Sequence, residues 1–176
     1  MDRFADSWAN GASAAASAEP SEGFAPEAPY VLIEPLRRTT ALVFASPHSG
    51  RRYPQSFLAQ ARVGLDSLRR AEDAFVDELF AAAPCHGAPL LSATMARAYV
   101  DVNRDPAELD PDMFADPLPH GGQGGSPRVQ AGLGAIPRVA GDGQEIYRRR
   151  LQADEARQRI DAVHQPYHCL LYTSRR

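Results

Sequence analysis

The sequence predicts an α/β protein, in which strands and helices alternate along one domain and helices flank a sheet. Two short apolar runs, residues 30–34 and 41–45, have the length and composition of β-strands. An amphipathic period over residues 66–83 then predicts a helix, and further strand-like segments follow it. Elements that alternate in this way pack as layers. The length of 176 residues suits one ordinary domain.

The first half of the chain predicts a leader, two strands and a helix. Residues 1–29 are rich in Ala, Ser, Glu and Pro, and we expect a disordered leader because few apolar side chains offset the entropy of ordering. Residues 30–34 are typical of an edge strand, and residues 41–45 of a strand buried on both faces. The helix over residues 66–83 ends before Pro84, which cannot continue it.

The second half predicts two more strands, a long loop and a second helix. Residues 89–95 and 97–103 have strand composition, the latter rich in β-formers. Residues 105–143 contain so much Pro, Gly and Asp that they predict a long loop, and loops of this length are commonly functional. A helix is predicted over residues 144–164, and Pro166 is expected to interrupt it. The domain is expected to span 30–170 and to be followed by a frayed or foreign tail, 171–176.

Composition excludes several classes of function. All 19 basic residues are arginine, so chemistry that needs a lysine, such as a Schiff base, is absent from this sequence. The net charge of -3 argues against a nucleic-acid surface. No apolar run approaches the ~20 residues of a membrane span. The two cysteines suggest no disulfide framework, and we expect a cytoplasmic protein.

A histidine follows the second predicted strand directly. The segment Ser46-Pro47-His48-Ser49-Gly50 places an imidazole at the carboxyl end of that strand, where open α/β folds bind ligands. A histidine that hydrogen-bonds a turn is the alternative interpretation. The setting between small polar residues favours a functional role.

Two adjacent carboxylates, Glu72 and Asp73, lie on the predicted first helix. One of them could reach the sheet edge and meet His48. A histidine nitrogen, a carboxylate oxygen and one further ligand would form a catalytic zinc site with a position left for water. Both carboxylates could equally belong to the solvated face of an ordinary helix.

The stretch over residues 97–104 carries two arginines and an amide. On a strand, Asn103 would share one face with Asp101, while Arg104 would lie on the other face at the strand end. Guanidinium groups pair with carboxylates through parallel hydrogen bonds, so Arg97 and Arg104 would suit an acidic substrate. Both could instead be surface cations.

A succession of motifs is more specific than any one of them. In chain order they are Ser46-Pro47-His48-Ser49-Gly50, residues 72–80, residues 97–104, Leu109-Asp110, residues 132–138 and Pro166-Tyr167-His168. In this order the chain resembles the N-formylglutamate amidohydrolase family over residues 30–170. The resemblance implies hydrolysis of N-formyl-L-glutamate to formate and glutamate, in histidine degradation. It also implies a three-layer mixed sheet flanked by helices, similar to the zinc carboxypeptidase and aspartoacylase fold.

The resemblance assigns roles to particular residues. It implies that His48 and Asp73 are ligands of a divalent metal, zinc by expectation, with Glu72 as the substitute carboxylate. It implies that the substrate's carboxylates are held by four residues: Arg97, Asn103, Arg104 and Arg138. The expected partner is therefore a small acidic N-acyl amino acid.

The chain departs from the family after His168. Family members continue through an Asp-Cys-His-Ser-like segment, which the resemblance implies gives the third metal ligand, and a later glutamate suited to acid/base work. Neither occurs here, so we expect a domain incomplete at its C-terminus, an acid/base group beyond residue 176 and impaired hydrolysis. The alternatives are a metal-dependent deacylase of another N-acyl acidic amino acid, or a non-catalytic anion-binding module that uses the arginines at 148–150 and 69–70.

Overall fold

The computed structural model describes residues 28–118 and 125–174, so the predicted leader lies outside the described residues except for its last two. The strands are β1 Tyr30–Ile33, β2 Phe44–Ser46 and β3 Leu90–Ala93. The α-helices are α1 Gln55–Gln60, α2 Leu65–Arg69, α3 Val76–Leu79, α4 Pro127–Gln130, α5 Ala153–Arg159 and α6 Gln165–Thr173. A π-helical turn, Ile160–His164, joins α5 to α6, and 3-10 turns occupy Ala83–His86 and Pro111–Met113.

The strands form a small mixed sheet in the order β1-β3-β2. β3 lies in the centre and is buried along its whole length; it pairs antiparallel with β1 and parallel with β2. The prediction that residues 41–45 form a strand buried on both faces was wrong. β2 begins only at Phe44, and Ala45 is exposed because β2 lies at an edge of the described sheet. The mixed α/β class is confirmed.

Two apolar clusters form the core. The larger one packs the central strand against the residues that follow it and against the C-terminal helix, and its fully buried members include Leu91, Val100, Val102, Leu151 and Tyr167. The smaller one joins α1 and α2 to the segment before α5 through Phe57, Leu68 and Ile146. None of the described helices has the length and hydropathy needed to cross a membrane.

The long helix predicted over residues 66–83 does not form. α2 ends at Arg69, and α3 covers only Val76–Leu79. Between them the Asp73 amide donates to the carbonyl of His48 at 3.0 Å instead of to its own helix. The apolar period was real, but a long-range backbone contact replaced the helical one.

Residues 97–103 form consecutive turns rather than the predicted strand. The amide of Tyr99 donates to the carbonyl of Ala96, and the amide of Asn103 donates to Oδ1 of Asp101. An aspartate side chain that accepts an amide two residues later favours a turn over a strand. The helix predicted over residues 144–164 begins later, at Ala153.

The C-terminal helical region continues past the point where the sequence predicted an interruption. α5, the π-helical turn and α6 follow one another without a break, with Pro166 in the first turn of α6. A π-helical turn widens the backbone, which relieves the clash of a proline ring with the preceding turn. Residues 171–173, predicted as part of a tail, continue α6, and Ser174 is buried.

His164 predicts a loss of stability in mild acid. Burial lowers the pKa of His164, and the charge of the neighbouring His168 lowers it further. The Arg104 carbonyl, Asp105 and Asp101 raise the pKa, but they do not outweigh burial. In the unfolded chain a histidine takes up its proton near pH 6.5, so the unfolded state binds the proton first as the pH falls. The contribution of His164 to the free energy of unfolding is thus fully present above about pH 6.5 and is lost as the pH falls below that value.

Urea unfolding at pH 7.5 and at pH 5.5 measures this effect. The free energy of unfolding of the wild-type chain should fall between the two values, and His164→Gln, which has no group that titrates there, should show a smaller fall. An equal fall in both proteins would contradict the prediction.

Candidate active site

His48 lies two residues beyond the end of β2, at the carboxyl end of the strand. Ser46, His48 and Ser49 are buried, and the Ser46 hydroxyl donates to Oγ of Ser49 at 2.9 Å. Gly50 permits a close approach of backbones, because a Cβ there would lie 2.1 Å from the carbonyl oxygen of Met95. The loop that carries His48 is therefore held against the segment that follows β3.

The structure brings Asp73 to His48. Oδ2 of Asp73 lies 3.2 Å from Nδ1 of His48. Phe75, two residues later, has a φ of 65°, in the left-handed region that a bulky side chain rarely adopts. Its ring lies under the guanidinium of Arg51, 4.9 Å from the ring centre. Such backbone strain is commonly found where a segment presents a functional side chain.

Asp101 occupies the other side of the His48 ring. Nε2 of His48 lies 2.9 Å from Oδ1 of Asp101, whose side chain is 2% exposed. Nε of Arg97 donates to Oδ2 of Asp101 at 2.9 Å, and Nε of Arg104 lies 3.7 Å from the same oxygen. The buried carboxylate is thus the centre of a cluster of one imidazole and two guanidiniums.

Asp101 stays ionised in this cluster. Burial by itself raises the pKa of a carboxyl group. Here the hydrogen bond and charge of His48, the charge of Arg97 and the amide of Asn103 outweigh burial, and the pKa of Asp101 lies below its ordinary value. Nε2 of His48 donates its proton to this carboxylate, and Nδ1 faces Asp73 on the other side of the ring.

The predicted substrate-binding residues fall into two groups. Arg97 and Arg104 join the cluster around Asp101, and Nε of Arg104 is buried with no hydrogen-bond partner among the described residues. Asn103 contributes its backbone amide to Asp101, and its side chain is exposed. Arg138 lies elsewhere: it pairs with Asp110 and Glu145 and lines a separate cleft with Arg148, Arg149 and Arg150.

Glu72 is directed away from His48. Its carboxylate is buried, accepts the hydroxyl proton of Tyr53 at 2.7 Å and lies 3.5 Å from Nε of Arg69. Burial and the adjacent Glu72 raise the pKa of Tyr53. Of the two neighbouring carboxylates, Asp73 is therefore the one that faces the imidazole.

A cleft of about 270 Å³ opens beside the cluster. Among its lining residues are Asp73, Arg97 and Asp101, which bring two carboxylates and a guanidinium to one wall. Gly141 and its neighbours form another part of the wall, and a Cβ at Gly141 would lie 2.5 Å from the carbonyl oxygen of Arg70. The cleft can receive a small ligand with both acidic and polar groups.

The profile of the N-formylglutamate amidohydrolase family matches residues 40–174, which is most of the chain. The chain belongs to this family. Its members are amidohydrolases, and the matched range contains the cluster of His48, Asp73 and Asp101.

A solved structure from the same family agrees with this assignment. The chain is similar to the N-formylglutamate amidohydrolase from Ralstonia eutropha JMP134, with 36% sequence identity and a TM-score of 0.78. The similarity covers 84% of this chain and 51% of the Ralstonia chain, so this chain spans about half of that enzyme. A comparison with curated proteins gave no match.

Sequence reasoning missed the contact of Asp101 with His48 and the contact of Tyr53 with Glu72. Asp101 was placed on a strand without a role, although it lies in the same motif as Arg97 and Arg104. An acidic residue between two arginines was the available signal. Tyr53 gave no signal, because only the fold brings its hydroxyl to Glu72.

Proposed function

We propose that this chain contributes the metal-binding and carboxylate-recognising part of a site that hydrolyses N-formyl-L-glutamate. The observation that carries the proposal is the position of His48, held between Asp73 at 3.2 Å and Asp101 at 2.9 Å. The proposal extends to the three-layer carboxypeptidase-like architecture, of which the small mixed sheet would be a part.

The donor set fits a zinc ion in part. Imidazole nitrogen and carboxylate oxygen are ordinary zinc ligands. With the Nε2 proton held by Asp101, Nδ1 of His48 and Oδ2 of Asp73 are two acceptors 3.2 Å apart, an arrangement that needs a proton or a cation between them. A second-sphere carboxylate on a ligating histidine is also the usual arrangement. Within residues 28–118 and 125–174 no group of three such side chains could hold a metal, so a third ligand would come from elsewhere.

Each residue then has a distinct task in the proposed reaction. When bound, zinc supplies a Lewis acid that polarises the formyl carbonyl and activates water. Asp101 keeps the Nε2 proton on His48 and fixes the orientation of the ring. Arg97 lines the cleft and uses Nε for Asp101, so its terminal nitrogens would be the donors for a substrate carboxylate.

Zinc titration by calorimetry tests the metal site. We expect the chain to bind about one zinc equivalent, and His48→Ala or Asp73→Asn to weaken binding by at least about tenfold, because removing a ligand removes a direct metal bond. Glu72→Gln decides between the two neighbouring carboxylates and should leave zinc affinity unchanged. The exposed His86→Ala is the matched histidine control. Zinc binding that ignores His48→Ala and Asp73→Asn would overturn the proposed site.

Ligand binding to the zinc-loaded chain tests the substrate class. N-formyl-L-glutamate should bind more tightly than N-formyl-L-leucine, and Arg97→Gln should weaken it by roughly 30-fold or more, the effect of removing a desolvated guanidinium. A preference for N-acetyl-L-aspartate would favour another deacylase. Equal binding of the acidic and apolar ligands would refute recognition of the carboxylate.

A further inference from the structure

Two histidines on the C-terminal helical region lie outside the cluster around His48. His164 ends the π-helical turn and His168 lies in α6, and their rings stack with centroids 4.4 Å apart. The continuous helix through Pro166 places both rings on one face. π-Helical turns are frequently found at functional sites.

Both rings reach the backbone of the turn that carries the site residues. Nε2 of His164 lies 2.8 Å from the carbonyl oxygen of Arg104, and Nε2 of His168 lies 2.6 Å from the carbonyl oxygen of Val102. A carbonyl only accepts, so each Nε2 carries a proton and donates it. The two histidines therefore donate hydrogen bonds to one turn, at the carbonyls on either side of Asn103.

This turn, residues 101–104, is the one that positions Asp101. The amide of Asp101 donates to the carbonyl of Ala135 at 2.8 Å, and the amide of Arg104 donates back to the carbonyl of Asp101 at 3.3 Å. Asp101 is thus fixed by its hydrogen bond to Ala135, and Arg104 by the hydrogen bond that its carbonyl accepts from His164.

Packing alone does not account for His168. Tyr167, between His164 and His168 in sequence, is 1% exposed and its hydroxyl finds no hydrogen-bond partner within the described part of the chain, so it serves the core through its ring. His168, by contrast, is exposed yet makes a 2.6 Å hydrogen bond. Its polar atom, rather than its apolar area, makes the contact.

We propose that His164 and His168 are positioning residues, which hold the turn over residues 101–104 so that Asp101 and Arg104 keep their places in the site. This proposal rests on the proposed function, because that function is what assigns a role in the site to Asp101 and Arg104. Neither histidine touches the cleft, and both act through the backbone.

Matched substitutions separate the donated proton from the ring. His168→Phe keeps a stacked ring and removes the donor, whereas His168→Gln keeps an N–H donor. We expect His168→Phe to speed amide hydrogen exchange at residues 101–104 by about tenfold, since one anchoring hydrogen bond is lost, and His168→Gln to restore most of the protection. His164→Phe and His164→Gln should follow the same pattern, and the exposed His86→Phe should change nothing.

A second readout follows the site itself. In the nitrogen-15 NMR spectrum of the metal-free chain, the Nε2 proton of His48 reports the contact with Asp101; we expect His168→Phe to broaden or shift it and His168→Gln to keep it. These measurements use neither zinc nor substrate, so they stand even if the proposed reaction fails. Unchanged exchange and an unchanged His48 signal in His168→Phe would overturn the proposal, as would a Gln variant that behaves like Phe.

Discussion

Replacing Asp101 by alanine should destabilise the protein by about 3 to 5 kcal/mol, the usual effect of removing one member of a buried charged cluster. The loss leaves the partly buried Arg97 without its ion-pair partner and the Nε2 proton of the buried His48 without an acceptor. Urea unfolding at pH 7 measures the change. Zinc affinity should also fall, because the orientation of the imidazole is lost.

Two further variants keep this prediction specific. Asp101→Asn retains an oxygen that can accept hydrogen bonds from His48 and from the Asn103 amide. It should therefore lower the free energy of unfolding clearly less than Asp101→Ala does. Asp161→Ala removes an exposed carboxylate whose contact is the Gln165 side chain, and it should change stability by only about 0.5 kcal/mol. If Asp101→Ala were as mild as Asp161→Ala, the buried cluster would not stabilise the fold.

A second large effect is expected at Arg159. This arginine is 4% exposed, and its guanidinium lies over the rings of Tyr99, Phe57 and Tyr147 at 4.5, 5.5 and 5.5 Å. It donates to the Tyr147 hydroxyl at 2.7 Å and to the Gln60 side chain at 3.2 Å. Among the ion pairs of the described residues none involves Arg159, so the aromatic rings and neutral oxygens solvate its charge.

Arg159→Ala should therefore lower the free energy of unfolding by about 3 to 5 kcal/mol, because a cavity opens and buried polar groups lose their donor. Arg157→Ala, at an exposed position on the same helix, is the matched control and should stay within about 0.5 kcal/mol. Both are read from urea unfolding at one pH. A small effect at Arg159 would mean that the three rings close over the space without the guanidinium.

Local pattern was enough to predict β1, β3 and the position of His48 after β2. Each of these predictions depends on residues that are neighbours in the chain: short apolar runs predict the strands, and Ser46-Pro47 marks the end of the second one. The residue pattern suggested that Glu72 or Asp73 could meet His48, and the family resemblance preferred Asp73. The structure then showed the contact, with Asp73 in a turn instead of on a helix.

The errors have two causes: a long-range backbone contact at Asp73, and local hydrogen bonding or helix geometry at Asp101 and Pro166 that residue propensities do not reveal. The amphipathic period around Glu72 predicted a helix, yet the Asp73 amide bonds the His48 carbonyl and the helix divides. The β-formers around Val100 predicted a strand, yet Asp101 bonds the Asn103 amide and forms a turn. Pro166 predicted a break, yet a π-helical turn carries the helix past it.

The amino-acid sequence by itself determined the α/β class, the order of motifs and the residue types available for chemistry, since these depend on neighbours in the chain and on composition. Only the tertiary structure decided which atoms meet. It brought Asp73 rather than Glu72 to His48, placed Asp101 at Nε2 of His48 and placed Arg138 at another cleft. The physical reason is that contacts between residues far apart in the chain depend on how the whole backbone packs, which no local period encodes.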